Sequence, residues 1–379
     1  MSVLIICEKP SVAKTVALAL GAMEQKDGYL SGDGLLVSWC IGHLISMADA
    51  GSYDERYKKW RYEDLPILPQ TWKYAPTPGK EKQLAILKEL LHRSDVSEVV
   101  NGCDAGREGE LIFRFVYEQA GCTKPFSRLW ISSMEDSAIR EGFAGRRAGT
   151  EYDALYQSAL CRARADWLVG INATRLFSVL YHKTLNVGRV LSPTLNLLVE
   201  RDGKIKMFHK EKYHIVHIGC GGVDAESERI SDASAADALK TACEASQAVC
   251  VSLKKEKKTA LPPKLFDLTC LQREANRVYG FTAKQTLDYA QSLYEKRFLT
   301  YPRTDSNYLT EDMAQTATDL VAALLPVLPF MQGAELTPEI GRVINSAKVS
   351  DHHAIIPTAA FAGNGFDRLP ESEKKLMSL

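Results

Sequence analysis

The sequence predicts a mixed α/β protein of several domains, led by a parallel-sheet domain, and three observations predict it. A short, continuous apolar run, Val3 to Cys7, and another run, Val96 to Cys103 with Val99 and Val100, each end in an acid, Glu8 and Asp104. A helical pattern follows each run: Val12 to Leu20 after the first, and Leu111, Phe115 and Val116 after the second. Downstream the alternation gives way to a helical stretch, then a strand-like one, then helices again. Continuous apolar runs of this length read as strands buried on both faces of a parallel sheet, and strand–helix alternation is the signature of α/β folds.

In such sheets ligands bind beyond the carboxyl ends of the strands, which is where Glu8 and Asp104 fall. Residues 1–150 are read as this first domain. Residues 151–208 turn helical from Asp153 to Thr174, with Leu155, Leu160, Trp167 and Leu168 among small residues and arginines. Residues 209–263 are read as a small β-rich domain, because Tyr213 to Ile218 alternates in strand fashion before Ser, Ala and Asp become frequent. Its Lys254 to Lys258 cluster reads as a solvated strand or loop rather than a binding site. In residues 264–379, Leu268, Leu271, Ala275 and Val278 mark one helix. Thr282 with Gln285 is the capping box of a second, whose Leu287, Ala290 and Leu293 are expected to face inward. Leu369 to Leu379 starts an amphipathic helix and stops, the pattern of a truncated chain.

Of the 379 residues, 45% are hydrophobic and 25% charged, an ordinary globular composition. Lys plus Arg and Asp plus Glu both number 47, so any basic surface must be local. The nine cysteines, at 7, 40, 103, 122, 161, 220, 243, 250 and 270, form no C-x-x-C pair and are read as reduced, mostly buried thiols. Met1 to Cys7 is too short for a signal peptide, and no apolar stretch is long enough to span a bilayer. A cytoplasmic, monomeric protein without a membrane partner is expected.

Asp104-Ala105-Gly106-Arg107-Glu108-Gly109-Glu110 places acids at a strand end and in the first turn of a helix. With Glu8 they supply hard oxygen ligands of the sort that suit Mg²⁺, or they merely favour the helix dipole. Pro302 biases Tyr301 towards an extended conformation that presents the phenol rather than tucking it against a helix. Arg303, two residues on, would lie on the same side and could hold a phosphate oxygen. A phenol needs help to ionise at neutral pH, and Arg303 and Lys9 are the cations expected to give it.

Together these segments resemble the type IA DNA topoisomerases, in their topoisomerase III branch. Asp104 to Glu110 and Cys7-Glu8-Lys9-Pro10-Ser11 are similar to the TOPRIM domain of that family, with Glu8, Asp104 and Glu108 matching three of its four acids and Gly106 standing for the fourth. Leu271 to Ala275, Ala290 to Glu295 and Leu299-Thr300-Tyr301-Pro302-Arg303-Thr304-Asp305-Ser306 resemble its cleavage domain in order and spacing.

The resemblance implies that Tyr301 attacks single-stranded DNA without ATP and becomes joined to the 5′ phosphate. Glu8 would be the general acid, Lys9, Arg303 and His352 would act at the phosphate, and Mg²⁺ would sit on Glu8, Asp104 and Glu108, or on Glu8 and Asp104 alone. His352 lies in Ser350-Asp351-His352-His353-Ala354, which resembles the family's histidine motif. Gly188-Arg189-Val190-Leu191-Ser192-Pro193-Thr194 resembles its strand-binding motif except at Leu191 and Ser192, which implies strand contacts from Gly188, Arg189, Ser192 and Thr194. Arg162, Arg164, Trp167 and Arg175 lie in a similar helical segment, with Trp167 equally readable as core. Trp60 among cations is a stacking candidate or a loop anchor, and His43 in Gly42-His43-Leu44 matches a segment near the active site.

The resemblance further implies a TOPRIM domain plus helical and β-arch domains in a toroid, here incomplete. It implies bacterial nucleoid, plasmid or mobile-element DNA as the site of action, and it leaves a helicase partner open. A single-strand-binding module without cleavage, and a TOPRIM nuclease, are the competing readings.

Overall fold

Residues 2–7, Ser-Val-Leu-Ile-Ile-Cys, form the central strand of the first sheet, with the last four side chains buried in succession. The computed structural model describes residues 1–131, 134, 136–328, 338–349, 352–364 and 366–379, so Ser350 and Asp351 of the histidine motif lie outside the described residues. In chain order the amino-terminal elements are β1 Ser2–Cys7, α1 Pro10–Leu20, β2 Glu24–Lys26, β3 Tyr29–Gly32, β4 Leu35–Trp39, β5 Ile45–Met47, β6 Tyr74–Pro76, α2 Glu81–His92, β7 Val96–Gly102, α3 Arg107–Gln119, β8 Phe126–Arg128, α4 Asp136–Ala144, β9 Arg147–Ala148 and α5 Asp153–Leu180. The main sheet has the order β2-β3-β4-β1-β7-β8-β9. Its middle is parallel: β1 pairs with β4 and with β7, and β7 pairs with β8.

One cluster of buried side chains packs Leu4, Ile6 and Val99 against α2, α3 and the start of α5. The other joins Ile5, Cys7 and Val100 to α1 and α4, and also takes in Tyr294 and Tyr301. Burial on both faces is why β1 is apolar without alternation and why Val99 and Val100 stand side by side in β7. α5 reaches 28 residues, further than the Thr174 expected from the pattern.

The chain divides into two compact units, one of residues 1–187 and 263–379, the other Gly188–Pro262. The second holds α6 Leu191–Lys206, the antiparallel hairpin β10 His217–Cys220 and β11 Val223–Glu226, and α7 Ala233–Glu244. No residue of α6 is buried. The lysine cluster 254–258 has no regular structure and is exposed.

In the first unit, α8 Leu268–Tyr279, α9 Ala283–Glu295, α10 Ala314–Leu324, α11 Ala359–Asn364 and α12 Glu371–Met377 surround a third apolar cluster. α9 opens with the expected capping box, Thr282 and Gln285 each bonding the other's backbone N–H. Ala290 and Leu293 are fully buried, whereas Leu287 is only partly so and Val278 of α8 is 44% exposed. The expectation of mostly buried thiols is corrected: Cys7, Cys40, Cys103 and Cys122 are buried, but Cys161, Cys220, Cys250 and Cys270 are exposed and Cys243 is intermediate. The buried four belong to the sheet core; the others lie on helix surfaces or in the second unit.

Candidate active site

The site begins at the carboxyl ends of β1 and β7. Chain leaves β1 through Glu8 and Lys9 and enters α1 at Pro10, whose fixed φ and missing N–H suit the first helical position. Asp104 follows β7, and Gly106 opens α3. The next glycine, Gly109, is required by close approach: a Cβ there would lie 2.1 Å from the Asp104 carbonyl oxygen. Beneath this corner Glu110, wholly buried, accepts from Asn101 Nδ2 at 2.8 Å and Arg114 Nε at 2.9 Å, and pairs with Arg128 Nε at 3.1 Å. Arg128 in turn donates to the carbonyls of Asn101, Cys103, Leu129 and Asp104. A buried guanidinium thus braces the loop that carries Asp104.

The tyrosine segment is laced to the histidine segment as if to a neighbouring strand. Thr300 N donates to Ile356 O at 3.0 Å, Thr300 Oγ1 to Ala354 O at 3.2 Å and Thr304 Oγ1 to His352 O at 2.9 Å. That lacing brings His352 to Tyr301, with ring centroids 4.3 Å apart. Tyr294 of α9 meets the other side of the phenol edge-on at 5.3 Å. The sequence led us to expect a presented phenol; instead Tyr301 is 9% exposed and packed against α9. Tyr294 shares its apolar cluster, which is why the ring turns inward.

The Tyr301 hydroxyl donates to Asp104 Oδ2 at 3.0 Å. Burial, then the Asp104 charge, raises the phenol's pKa above the ordinary tyrosine value, and Arg303 opposes them. The expected cationic help is therefore present from Arg303 but outweighed while Asp104 is the partner. Glu8 is raised from 4.5 to about 7, first by burial and then by the Asp104 charge, against Lys9 and Arg303. A carboxyl so placed holds its proton near neutrality.

These residues line one cleft of about 740 Å³ that includes Glu8, Lys9, Asp104, Glu108, Arg162, Tyr301, Arg303 and His352. Arg303 Nη1 also donates to Gln291 Oε1 at 3.0 Å. Glu108 lies on the rim and is taken by His43, Nε2 to Oε1 at 2.5 Å, which holds its carboxyl below the usual value. Among the described residues no group of three or more His, Cys, Asp and Glu side chains is close enough to hold a metal ion. Glu8 and Asp104 do fit one: two carboxylates crowded enough to raise one of them are the electrostatic condition a divalent cation relieves.

A second groove, about 290 Å³, is lined by Lys58, Trp60, Thr174 and Arg175 among others. Arg175 is 4% exposed, donates from Nη1 to Tyr57 O at 2.7 Å, and stands 5.5 Å from the Trp60 ring centre. Arg164 and Trp167 are half-buried and lie outside this groove's lining: Arg164 bonds the Tyr74 hydroxyl at 3.2 Å and lies over Trp72, while the Trp167 indole donates to Ala48 O at 3.0 Å and packs on Tyr53 and Trp72. Gly188, Arg189, Ser192 and Thr194 belong to the other unit. There Gly188 N donates to Ser192 Oγ at 3.2 Å and Thr194 Oγ1 to Val190 O at 2.7 Å, and Arg189 is exposed.

Sequence reasoning missed Asp267, Thr304 and Asp305 in the cleft wall, Tyr294 behind the phenol, and Arg128 beneath it. Asp267 carried a signal, an N-cap acid before the apolar pattern of α8. A single arginine in a three-residue strand carried none.

The family description "Toprim domain" matches residues 3–134, and "DNA topoisomerase" matches residues 150–379. The chain is 41% identical to DNA topoisomerase 3 of Bacillus subtilis (strain 168), over 93% of this chain and 50% of that protein. It is also 41% identical to DNA topoisomerase 3 of Bacillus licheniformis, over 99% and 53%. The full-length topoisomerase I structure from Thermotoga maritima superposes with a TM-score of 0.67 at 26% identity, over 99% of this chain and 58% of that one. The chain spans about half the length of these topoisomerase 3 relatives. Two matched family descriptions over nearly the whole chain, joined by the cleft in which Tyr301 reaches Asp104, make it a member of the type IA DNA topoisomerase family, similar in sequence to topoisomerase 3 proteins.

Proposed function

We propose that this chain carries the cleavage and religation centre of a topoisomerase: ATP-independent cutting of single-stranded DNA by Tyr301, strand passage, and resealing. The observation that carries the reading is the Tyr301 hydroxyl held on Asp104 in a cleft that also holds Glu8, Lys9, Arg303 and His352. The Tyr301 oxygen attacks phosphorus and the bond from phosphorus to the 3′ oxygen breaks, leaving a 5′ phosphotyrosine. The phenol proton passes first to the Asp104 carboxylate that already accepts it. Glu8, protonated near neutral pH, gives its proton to the departing 3′ oxygen. Lys9, Arg303 and His352 meet the charge that builds on the phosphate. Because the phosphotyrosine conserves the energy of the broken bond, the reverse steps reseal the strand.

Mg²⁺ would be held by Asp104 and Glu8 only in their ionised forms, and would supply positive charge at the phosphate. Glu108 joins that set only after leaving His43. For the strand itself, Trp60 with Arg175, and Gly188, Arg189, Ser192 and Thr194, are the proposed contacts to bases and phosphates. Arg164 and Trp167 hold the second groove in shape. Relaxation of negative supercoils or decatenation, by a monomer on bacterial nucleoid or plasmid DNA with a helicase partner, is the whole-protein activity that family membership suggests.

The test uses single-stranded oligonucleotides labelled at the 5′ or the 3′ end and quenched with detergent. Wild type should yield a covalent adduct that retains only the label 3′ of the break, and Tyr301→Phe should bind the strand but yield none. Binding without an adduct in wild type would reduce this chain to a strand-binding module. Metal-dependent nicking that survives Tyr301→Phe would make it a nuclease.

A further inference from the structure

Tyr308 lies outside the cleft lining, and no residue of the chemistry above uses it. Its ring carries two ammonium groups: Lys348 Nζ is 4.8 Å and Lys264 Nζ 5.5 Å from the ring centre. Lys348 also donates to the Tyr308 hydroxyl at 3.4 Å. Among the described residues neither lysine has a carboxylate within ion-pair distance, so the cluster carries two positive charges on an aromatic platform.

The platform is rigidly tied to the wall of the cleft. Tyr308 O accepts from Ala354 N at 2.9 Å, two residues past His352. Tyr308 N donates to Ser306 Oγ at 3.1 Å, and that hydroxyl also donates to Lys348 O at 3.0 Å. The neighbouring Asn307 donates to Asp267 Oδ2 at 2.8 Å and to Leu265 O at 3.0 Å, next to Lys264. Each of the three segments that build the cluster therefore also supplies a residue to the cleft: Asp267, Thr304 with Asp305, and His352.

We infer that Tyr308, Lys264 and Lys348 form a further binding station for single-stranded nucleic acid, one base stacking on the Tyr308 ring and the two lysines taking the phosphates beside it. The inference rests on the single-strand reading above. The physics is that of sequence-tolerant strand binding, in which a ring accepts any base and cations track the backbone. Two exposed ammonium groups, without carboxylate partners among the described residues, rest on the ring by cation–π attraction and can move to phosphates when a base covers it.

The experiment measures binding of an oligothymidylate by the whole chain with EDTA present, and photocrosslinking of the same oligonucleotide carrying 5-iodouracil. Tyr308→Ala should raise Kd about tenfold, within the range expected for loss of one stacked base. Tyr308→Phe keeps the ring and should stay within about twofold of wild type. The double variant Lys264→Ala, Lys348→Ala should lower the slope of log K against log salt by about 1.4, the value for two single-strand phosphate contacts. A crosslinked peptide containing Tyr308 supports the station. Wild-type affinity in Tyr308→Ala, or crosslinks that avoid Tyr308, overturns it while leaving the Tyr301 adduct and the reading behind it intact. A wild-type chain that neither binds the strand nor forms the adduct defeats both.

Discussion

At the scale of single residues, the cleft is governed by two carboxyl groups too close to ionise independently. Glu8 is raised to about 7, so it resists ionisation in the folded protein and not in the unfolded one. The sign follows: its contribution to stability is complete below the unfolded value and is lost as pH rises through about 7. In EDTA, Glu8→Gln should therefore gain on wild type in stability to urea unfolding between pH 5 and pH 8, by on the order of 1–2 kcal/mol at the upper end. A constant difference across that range would show that burial and the Asp104 charge do not hold the Glu8 proton in place. Tyr301, Glu8, Asp104 and His352 were legible from their motifs, and the structure brings all four to one cleft. The pairing of Glu108 with His43 was not legible, because 65 residues separate them and nothing local marks the bond. Nor was the inward turn of Tyr301, since Pro302 dictates only the backbone and the ring's direction is set by Tyr294 and His352.

Secondary-structure elements were readable where local chemistry decides them. The capping box at Thr282 is written within four residues and α9 starts where expected, whereas α1 starts at Pro10, two residues before the Val12 at which its apolar pattern begins. The strand–loop–helix corner around Asp104 depends on packing as well, and Gly109 is the place where the two meet. Alanine is the better helix former by about 1 kcal/mol, yet its Cβ would press on the Asp104 carbonyl at 2.1 Å. The clash involves backbone on both sides, so overpacking should win. Gly109→Ala should destabilise by about 1–3 kcal/mol and cut adduct formation at 25 °C, checked by urea unfolding alongside the oligonucleotide assay. Unchanged stability together with full adduct would mean that the loop has room to shift.

For the whole molecule, zero net charge concealed where the cations are: they gather locally, in the cleft, the Trp60 groove and around Tyr308. The stretch through Lys254 to Lys258 has no regular structure and every residue in it is exposed, which leaves its backbone open to a protease. Brief trypsin treatment should cut first at Lys254, Lys255, Lys257 or Lys258, read out by mass spectrometry of the early fragments. First cuts within α5 or α9 would contradict this.

Among these elements α5 has a property beyond its length. It contributes Arg162 to the cleft and Gly170, Ile171, Thr174 and Arg175 to the Trp60 groove. Arg162 and Arg175 are thirteen residues apart on one continuous helix, about 20 Å along its axis. A stiff rod with a mark at each place is a ruler. On the proposed single-strand reading it would make the footprint of a bound strand a fixed length: an oligonucleotide too short to cover the interval would occupy one mark or the other, and affinity would rise in a step, not steadily, as the strand is lengthened past it.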